Sequence, residues 1–297
     1  MSGVIVPTKK DGAMGVGIKR DHQGKEKSKK DAQGAAATST VRTAAPDHSH
    51  NAYTSMFETF RDELDEHHDR RMRIGKVSRD VTALSKKIIF SLQRVRKLSQ
   101  PIPERIQSEI DGRVREIAEL LATIQEDVQG MNRYRYPLIC LEEFVEAVSF
   151  AHYLSHQALM TPREAQDALP ADVPLTAPDY VFGIFDLTGE MMRFATAVTA
   201  LSGHMPTGDS DGDKNENEKR TILTDMQDVS SMLQVGPVLG RSNVYARKLS
   251  IMIEQVRKVE RLGYGVVVRG NERPKGWMPD LNEVGFSGDG DDIAMAD

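Results

Sequence analysis

Between residues 52 and 98 the chain has no proline and no alternating strand pattern, while Ile74, Val77, Val81, Leu84, Ile88, Leu92 and Val95 recur at intervals of three or four. At about 100° per residue this spacing gathers them on one face of a long amphipathic helix. A helix of that length must bury its stripe against other elements, so it constrains the whole fold. The "SQPIPE" stretch (99–104) stops it, and Pro103 suits the start of a second helix. Ile106, Ile110, Val114, Ile117, Leu121 and Ile124 then form a second stripe that ends near Gly130.

The remaining pattern predicts helices over about 136–160, 178–203, 219–234 and 243–262, with a proline-punctuated loop at 161–178 and a break at 236–241. No internal repeat and no sustained strand alternation is present. The expected fold is all-α, a multi-helix bundle of about six to seven antiparallel helices over residues 49–270. The acidic, low-complexity stretch 206–218 reads as a flexible loop. Residues 1–48 read as a disordered basic tail and residues 271–297 as an acidic one. Residues 1–50 carry nine Lys/Arg against five Asp/Glu, and residues 271–297 carry two against seven, so the net charge of −5 conceals opposed ends. No apolar run approaches the roughly 18 residues of a membrane span, which excludes a helical transporter. The single cysteine, Cys140, cannot form an internal disulfide framework and favours a reducing compartment. "KRDHQGKEKSKK" (19–30) matches a nuclear-import pattern as well as it matches a solvated tail.

The candidate chemistry lies in "LEEFVEAVSF" (141–150). On a helix Glu143 and Glu146 project about 60° apart, with Phe150 between them. Burying a carboxylate costs several kcal/mol, roughly, unless it is paired or binds a metal. A second pair sits in "FDLTGEMMR" (185–193), where Asp186 and Glu190 are one turn apart and Leu187, Met191, Phe194 and Val198 form an apolar face. Gly189, Ala197 and Ala200 lie beside these acids and permit close approach of another helix or a substrate. Arg193 could neutralise Glu190 in an ordinary ion pair. If the two helices face each other, four carboxylates converge in a donor set suited to Mg²⁺ or Mn²⁺. Such an ion could activate water against a phosphodiester. A di-iron bundle would instead want Glu-x-x-His, which is absent at Glu143 and Glu146. The adjacent His67 and His68 diverge on a helix, and Cys140 has no nucleophile signature.

At this point the sequence resembles the translin family. The resemblance is carried by "FETFRDELDEHHDRRMRIGKVSRDVTALSKKIIFSLQRV" (57–95), "LEEFVEAVSFAHYL" (141–154), "PDYVFGIFDLTGEMMR" (178–193) and "KVERLGYGVVVRGNERPKGWM" (258–278). It covers nearly all of the predicted helical domain, and its last three motifs are similar to the catalytic branch of that family. The resemblance implies a curved α-helical protein that assembles with translin into a hollow hetero-oligomer. It also implies a Mg²⁺-dependent endonuclease for single-stranded RNA, with Mn²⁺ able to substitute, acting in passenger-strand removal during RNA silencing or in tRNA fragment processing. Cytoplasmic and nuclear localisation follows from the same resemblance. Matched by position, the acidic site residues are Glu143, Glu146, Asp186 and Glu190. Cys140 and Glu142 stand where the family usually has Gly and Gln. The alternative is a non-catalytic helical scaffold in which these acids form salt bridges. Lys76, Arg79, Lys86 and Lys87 on the first helix are candidate RNA contacts, and the paucity of aromatics predicts phosphate contacts over base stacking.

Overall fold

The computed structural model describes residues 51, 53–169, 173–208, 220–235 and 243–269. The readings of the basic tail 1–48, of the acidic loop beyond residue 208, of the break at 236–241 and of the acidic tail 271–297 lie outside the described residues. From Ser55 onward the described helices belong to one compact unit. They are α1 (Thr54–Leu92), α2 (Glu104–Ala122), α3 (Asn132–Arg135), α4 (Cys140–His156), α5 (Pro162–Asp167), α6 (Ala177–Ser202), α7 (Ile222–Val235) and α8 (Asn243–Arg269). Among the described residues there is no β-strand, only two isolated bridges, Leu98 with Gly208 and Thr207 with Thr221. No helix among them is long and apolar enough to cross a membrane.

The predicted stripes are the core. Ile74, Val77, Val81, Leu84, Ile88 and Leu92 are all buried along α1, and Ile106, Ile110, Ile117 and Leu121 along α2. The fold class is all-α as expected, but α2 stops at Ala122 instead of near Gly130, α8 runs on to Arg269 instead of 262, and three further differences have a local cause. First, α1 ends at Leu92 although the stripe continues. Tight turns follow, with Arg94 N–H donating to Ser91 O at 3.2 Å and Val95 N–H to Leu92 O at 2.9 Å. Val95 and Leu98 stay buried outside the helix. Second, α4 starts at Cys140, not 136, because Tyr136 precedes proline and is extended (φ −120°, ψ 92°), the region into which a following proline ring pushes a residue. Third, the expected loop 161–178 contains the short helix α5. Thr161 and Glu164 cap each other's backbone N–H groups there, and Pro162 presets the first turn. With α3, this brings the described α-helices to eight.

Helix α6 is the central element and packs closely on α4 and α8. Thr176 and Asp179 form a second capping box at its start, and Gly203 ends it at φ +78°. Close approach depends on Gly183: a Cβ there would lie 2.7 Å from Val145 Cβ and 2.9 Å from Glu142 O of α4. On the other side, a Cβ at Gly189 would come within 3.0 Å of the Gln255 amide of α8. The small residues beside the acids therefore admit a neighbouring helix. A buried ion pair between Arg133 and Asp179 fixes α3 against the start of α6. These contacts place the second pair of acids directly across from the first.

Candidate functional site

Four helices wall a pocket of about 450 Å³. From α1 come Lys86, Ile89 and Phe90, with Gln93 just beyond the helix end. Glu143 and Glu146 come from α4, Asp186, Gly189, Glu190 and Arg193 from α6, and Gln255 from α8. All four predicted acids therefore line one cavity. Phe90 stands at it with 72% of its surface exposed, an aromatic face that composition alone did not reveal.

The four carboxylates are not equivalent. Glu190 is buried and fully engaged: Gln93 Nε2 donates to Oε2 at 2.7 Å, and Arg193 pairs with Oε1. Asp186 receives Lys248 Nζ at 2.7 Å on both oxygens. The same Nζ lies 3.4 Å from Glu142 and 5.6 Å from the centre of the Phe182 ring. Glu143 lies 3.3 Å from Lys86 Nζ. Glu146 has no ion pair or hydrogen bond among the described residues, yet it is only 8% exposed. Burial pushes its pKa up to about 8, reinforced by the charges of Asp186, Glu143 and Glu190 and opposed by Arg193. It is an unpartnered carboxyl aimed into a cavity of like charges. Burial also raises the Glu142 pKa, and Lys248 opposes the shift.

This donor set is chemically suited to a hard divalent cation, which takes carboxylate oxygens. Among the described residues no three His, Cys, Asp or Glu side chains are grouped tightly enough to hold an ion as they stand. Lys248 holds Asp186, and Arg193 with Gln93 holds Glu190. An ion entering the pocket would compete with the chain's own cations.

The basic residues divide differently from expectation. Lys86 reaches the acid pocket. Arg79 lines a separate hollow beside it and donates to Gly75 O at 3.2 Å. Lys76 and Lys87 are exposed and line neither. Cys140 is buried, its thiol pushed up to about 11 by desolvation, as befits a packing residue. His67 is engaged by the Tyr136 hydroxyl. Sequence reasoning missed Lys248, Gln93 and Gln255. Each is remote in the chain from the residues it touches at the pocket, and only the spacing of Lys248 and Gln255, seven apart on one face of α8, hinted that they act together.

The translin-family profile matches residues 69–270, a span that contains every wall of this pocket. The chain belongs to the translin family. Among relatives, Translin-associated protein X of Rattus norvegicus is 29% identical over 257 residues, covering 77% of this chain and 83% of that protein. The Translin-associated protein X homolog of Schizosaccharomyces pombe is 26% identical over 217 residues, covering 72% and 87%. A solved chain described as the crystal structure of apo-NeC3PO gives a TM-score of 0.48 at 19% identity, covering 69% of this chain and 94% of its own length. In this translin-family chain the acidic pocket sits where the most tightly packed helices, α4, α6 and α8, meet the end of α1.

Proposed function

We propose that this translin-family chain is the catalytic subunit of a divalent-metal-dependent endonuclease for single-stranded RNA, completed by a translin partner. The observation that carries the reading is Glu146, a buried carboxyl with no partner among the described residues, in a pocket shared with three more carboxylates. A site evolved only for packing would place an apolar residue there or give the acid a cation. Glu143, Glu146, Asp186 and Glu190 would hold Mg²⁺ or Mn²⁺. The bound ion would supply a lowered pKa for water and charge neutralisation at the phosphate. The chain's own residues do the rest. Lys86 and Arg193 stand at the pocket as cations for flanking phosphate oxygens. Gln93 orients Glu190, and Gln255, fixed by Thr188 at 2.6 Å, orients α8 against the glycine at 189. Phe90 offers an exposed ring on which a base can stack.

The partner is supported by an uncovered surface. Met56, Phe57, Phe60 and Leu64 recur at helical spacing on α1 and are 44–68% exposed, which marks an interaction face. Action in RNA silencing or tRNA fragment processing, in cytoplasm and nucleus, rests on the family resemblance alone.

One observation favours the scaffold reading: three of the four acids already have basic partners. Cleavage of 5′-labelled single-stranded RNA by the complex with translin separates the two. The nuclease reading expects cleavage in Mg²⁺, none in EDTA, and a loss of roughly 10²-fold or more in Glu146→Gln. Equal cleavage in EDTA, or full activity in the variant, overturns it.

A further inference from the structure

Beside the acid pocket lies a second hollow of about 600 Å³, lined by Arg71, Ile74, Gly75, Ser78, Arg79 and Thr82 of α1, and by Arg135, Tyr136, Pro137 and Ile139 around the start of α4. The two hollows share both walls. On α1, Thr82 of one is four residues from Lys86 of the other; at the start of α4, Ile139, the N-cap with helical φ and ψ, is four residues from Glu143. Four residues advance a helix by about 6 Å and only about 40°. The hollows are therefore successive stations along one groove between α1 and α4. Its acidic station holds the four carboxylates, and its other station has no acidic residue at all.

We propose that the arginine station is a phosphate-binding subsite for the same RNA strand whose reacting phosphodiester lies in the acid pocket. The inference rests on the nuclease reading for the strand's identity and adds where that strand is held. Arg71, Arg79 and Arg135 are exposed and have no ion pair among the described residues. Their neighbours Arg70 and Arg73 are not like them. Arg70 Nε donates to Asp127 at 3.2 Å and Arg73 Nη2 at 2.7 Å, so both guanidiniums are spent on structure. Arg70 and Arg73, which do not line the hollow, are neutralised by Asp127, whereas the three arginines that line it have no acidic partner among the described residues. Arg79 Nε is anchored on Gly75 O, which leaves its terminal nitrogens available. The Arg135 guanidinium rests 6.0 Å from the centre of the Tyr136 ring. Ser78 Oγ, at the same hollow, accepts from Cys140 N–H at 3.3 Å. A planar guanidinium with a nearby hydroxyl matches phosphate oxygens. The apolar floor, with Ile139 66% exposed, accepts sugar and base faces with no hydrogen-bond readout, so the subsite is indifferent to sequence. The acid pocket repels a polyanion before an ion enters it, so affinity for the strand must come from cations elsewhere along the groove. These three supply it.

The test is fluorescence anisotropy of a 5′-labelled 12-residue oligouridylate on the full-length chain, in EDTA, across a salt series. Arg79→Ala/Arg135→Ala should bind weaker, and its slope of log K against log salt should flatten by about 0.7 per lost contact, about 1.4 for the pair. Arg79→Lys/Arg135→Lys should restore most of the slope. Arg115→Ala, an exposed cation on α2 outside the groove, should change the slope less than either single alanine. An unchanged slope in the double variant, or a loss no greater than that of Arg115→Ala, overturns the subsite. So does equal competition by a polyglutamate peptide of matched charge, which would assign the hollow to an acidic protein segment. Both arginines are exposed, so a matching melting temperature confirms that the variant is folded. Because binding is read without metal, a chain that binds through these arginines but never cleaves overturns the nuclease reading and leaves the subsite standing. A chain that cleaves but ignores them does the opposite.

Discussion

Replacing Glu146 by glutamine should remove this carboxyl's share of the pH dependence of stability in the metal-free protein. The folded carboxyl titrates near 8 because it is desolvated and faces three carboxylates, whereas an unfolded glutamate titrates near 4.3. Between those values the folded state holds a proton that the unfolded state has released, so stability falls as pH rises. At about 1.4 kcal/mol per unit over roughly three units, the loss between pH 5 and 8 approaches ~4 kcal/mol as an upper figure. For a domain of this size that corresponds to a melting shift of about 2–4 °C per kcal/mol. Glu146→Gln keeps the shape and cannot ionise. The two proteins should melt together near pH 5, and the variant should melt several degrees higher at pH 8. Differential scanning calorimetry in EDTA at half-unit pH steps measures the difference, in which titrations common to both cancel. Parallel curves would show that Glu146 ionises normally. A variant less stable at pH 8 would show that the carboxylate is charged and paired, as the scaffold reading requires. Adding Mn²⁺ at pH 8 should then raise the wild type alone, by about 2.7 kcal/mol at a hundredfold excess over Kd.

Three further outcomes follow from the contacts around the pocket. Lys248→Met removes the cation shared by Asp186 and Glu142. It should cost about 3 kcal/mol in metal-free urea unfolding while tightening Mn²⁺ binding by calorimetric titration, because the ion no longer competes with an ammonium. Gly183→Ala places a methyl 2.7 Å from Val145, which should cost roughly 1–3 kcal/mol and weaken Mn²⁺ binding, since it separates α4 from α6. Cys140, with its thiol pushed up to about 11, should react with a thiol reagent at pH 8 only as fast as the chain unfolds; immediate stoichiometric reaction of the native protein would contradict its burial.

Much of the architecture was legible because helix burial is periodic. The α1 and α2 stripes are buried as their spacing demands, and the pairs Glu143/Glu146 and Asp186/Glu190 face one cavity because each is one turn apart on an otherwise apolar helix. Periodicity fails where burial and helicity part company. Val95 and Leu98 continue the α1 stripe from turns, so the stripe outlasts the helix by six residues. The short helix α5 depends on a capping box more than on a stripe, so periodicity carries no sign of it. Within the site, the identity of the acids was local information, but their present partners were not. Lys248 comes from 62 residues beyond Asp186, and Gln93 from 97 before Glu190. Which arginines stay free could not be read either, because Arg70, Arg71, Arg73 and Arg79 look alike until Asp127 is placed beside two of them.

The most direct test is where a divalent ion goes. A crystal of the complex with translin, grown in Mn²⁺ and measured at the manganese edge, should show an anomalous peak among Glu143, Glu146, Asp186 and Glu190, with Lys248 Nζ withdrawn from Asp186. An empty pocket with Lys248 and Arg193 still in place, in a complex that cleaves RNA in the same Mn²⁺ buffer, would contradict the assignment of these four acids as the catalytic site.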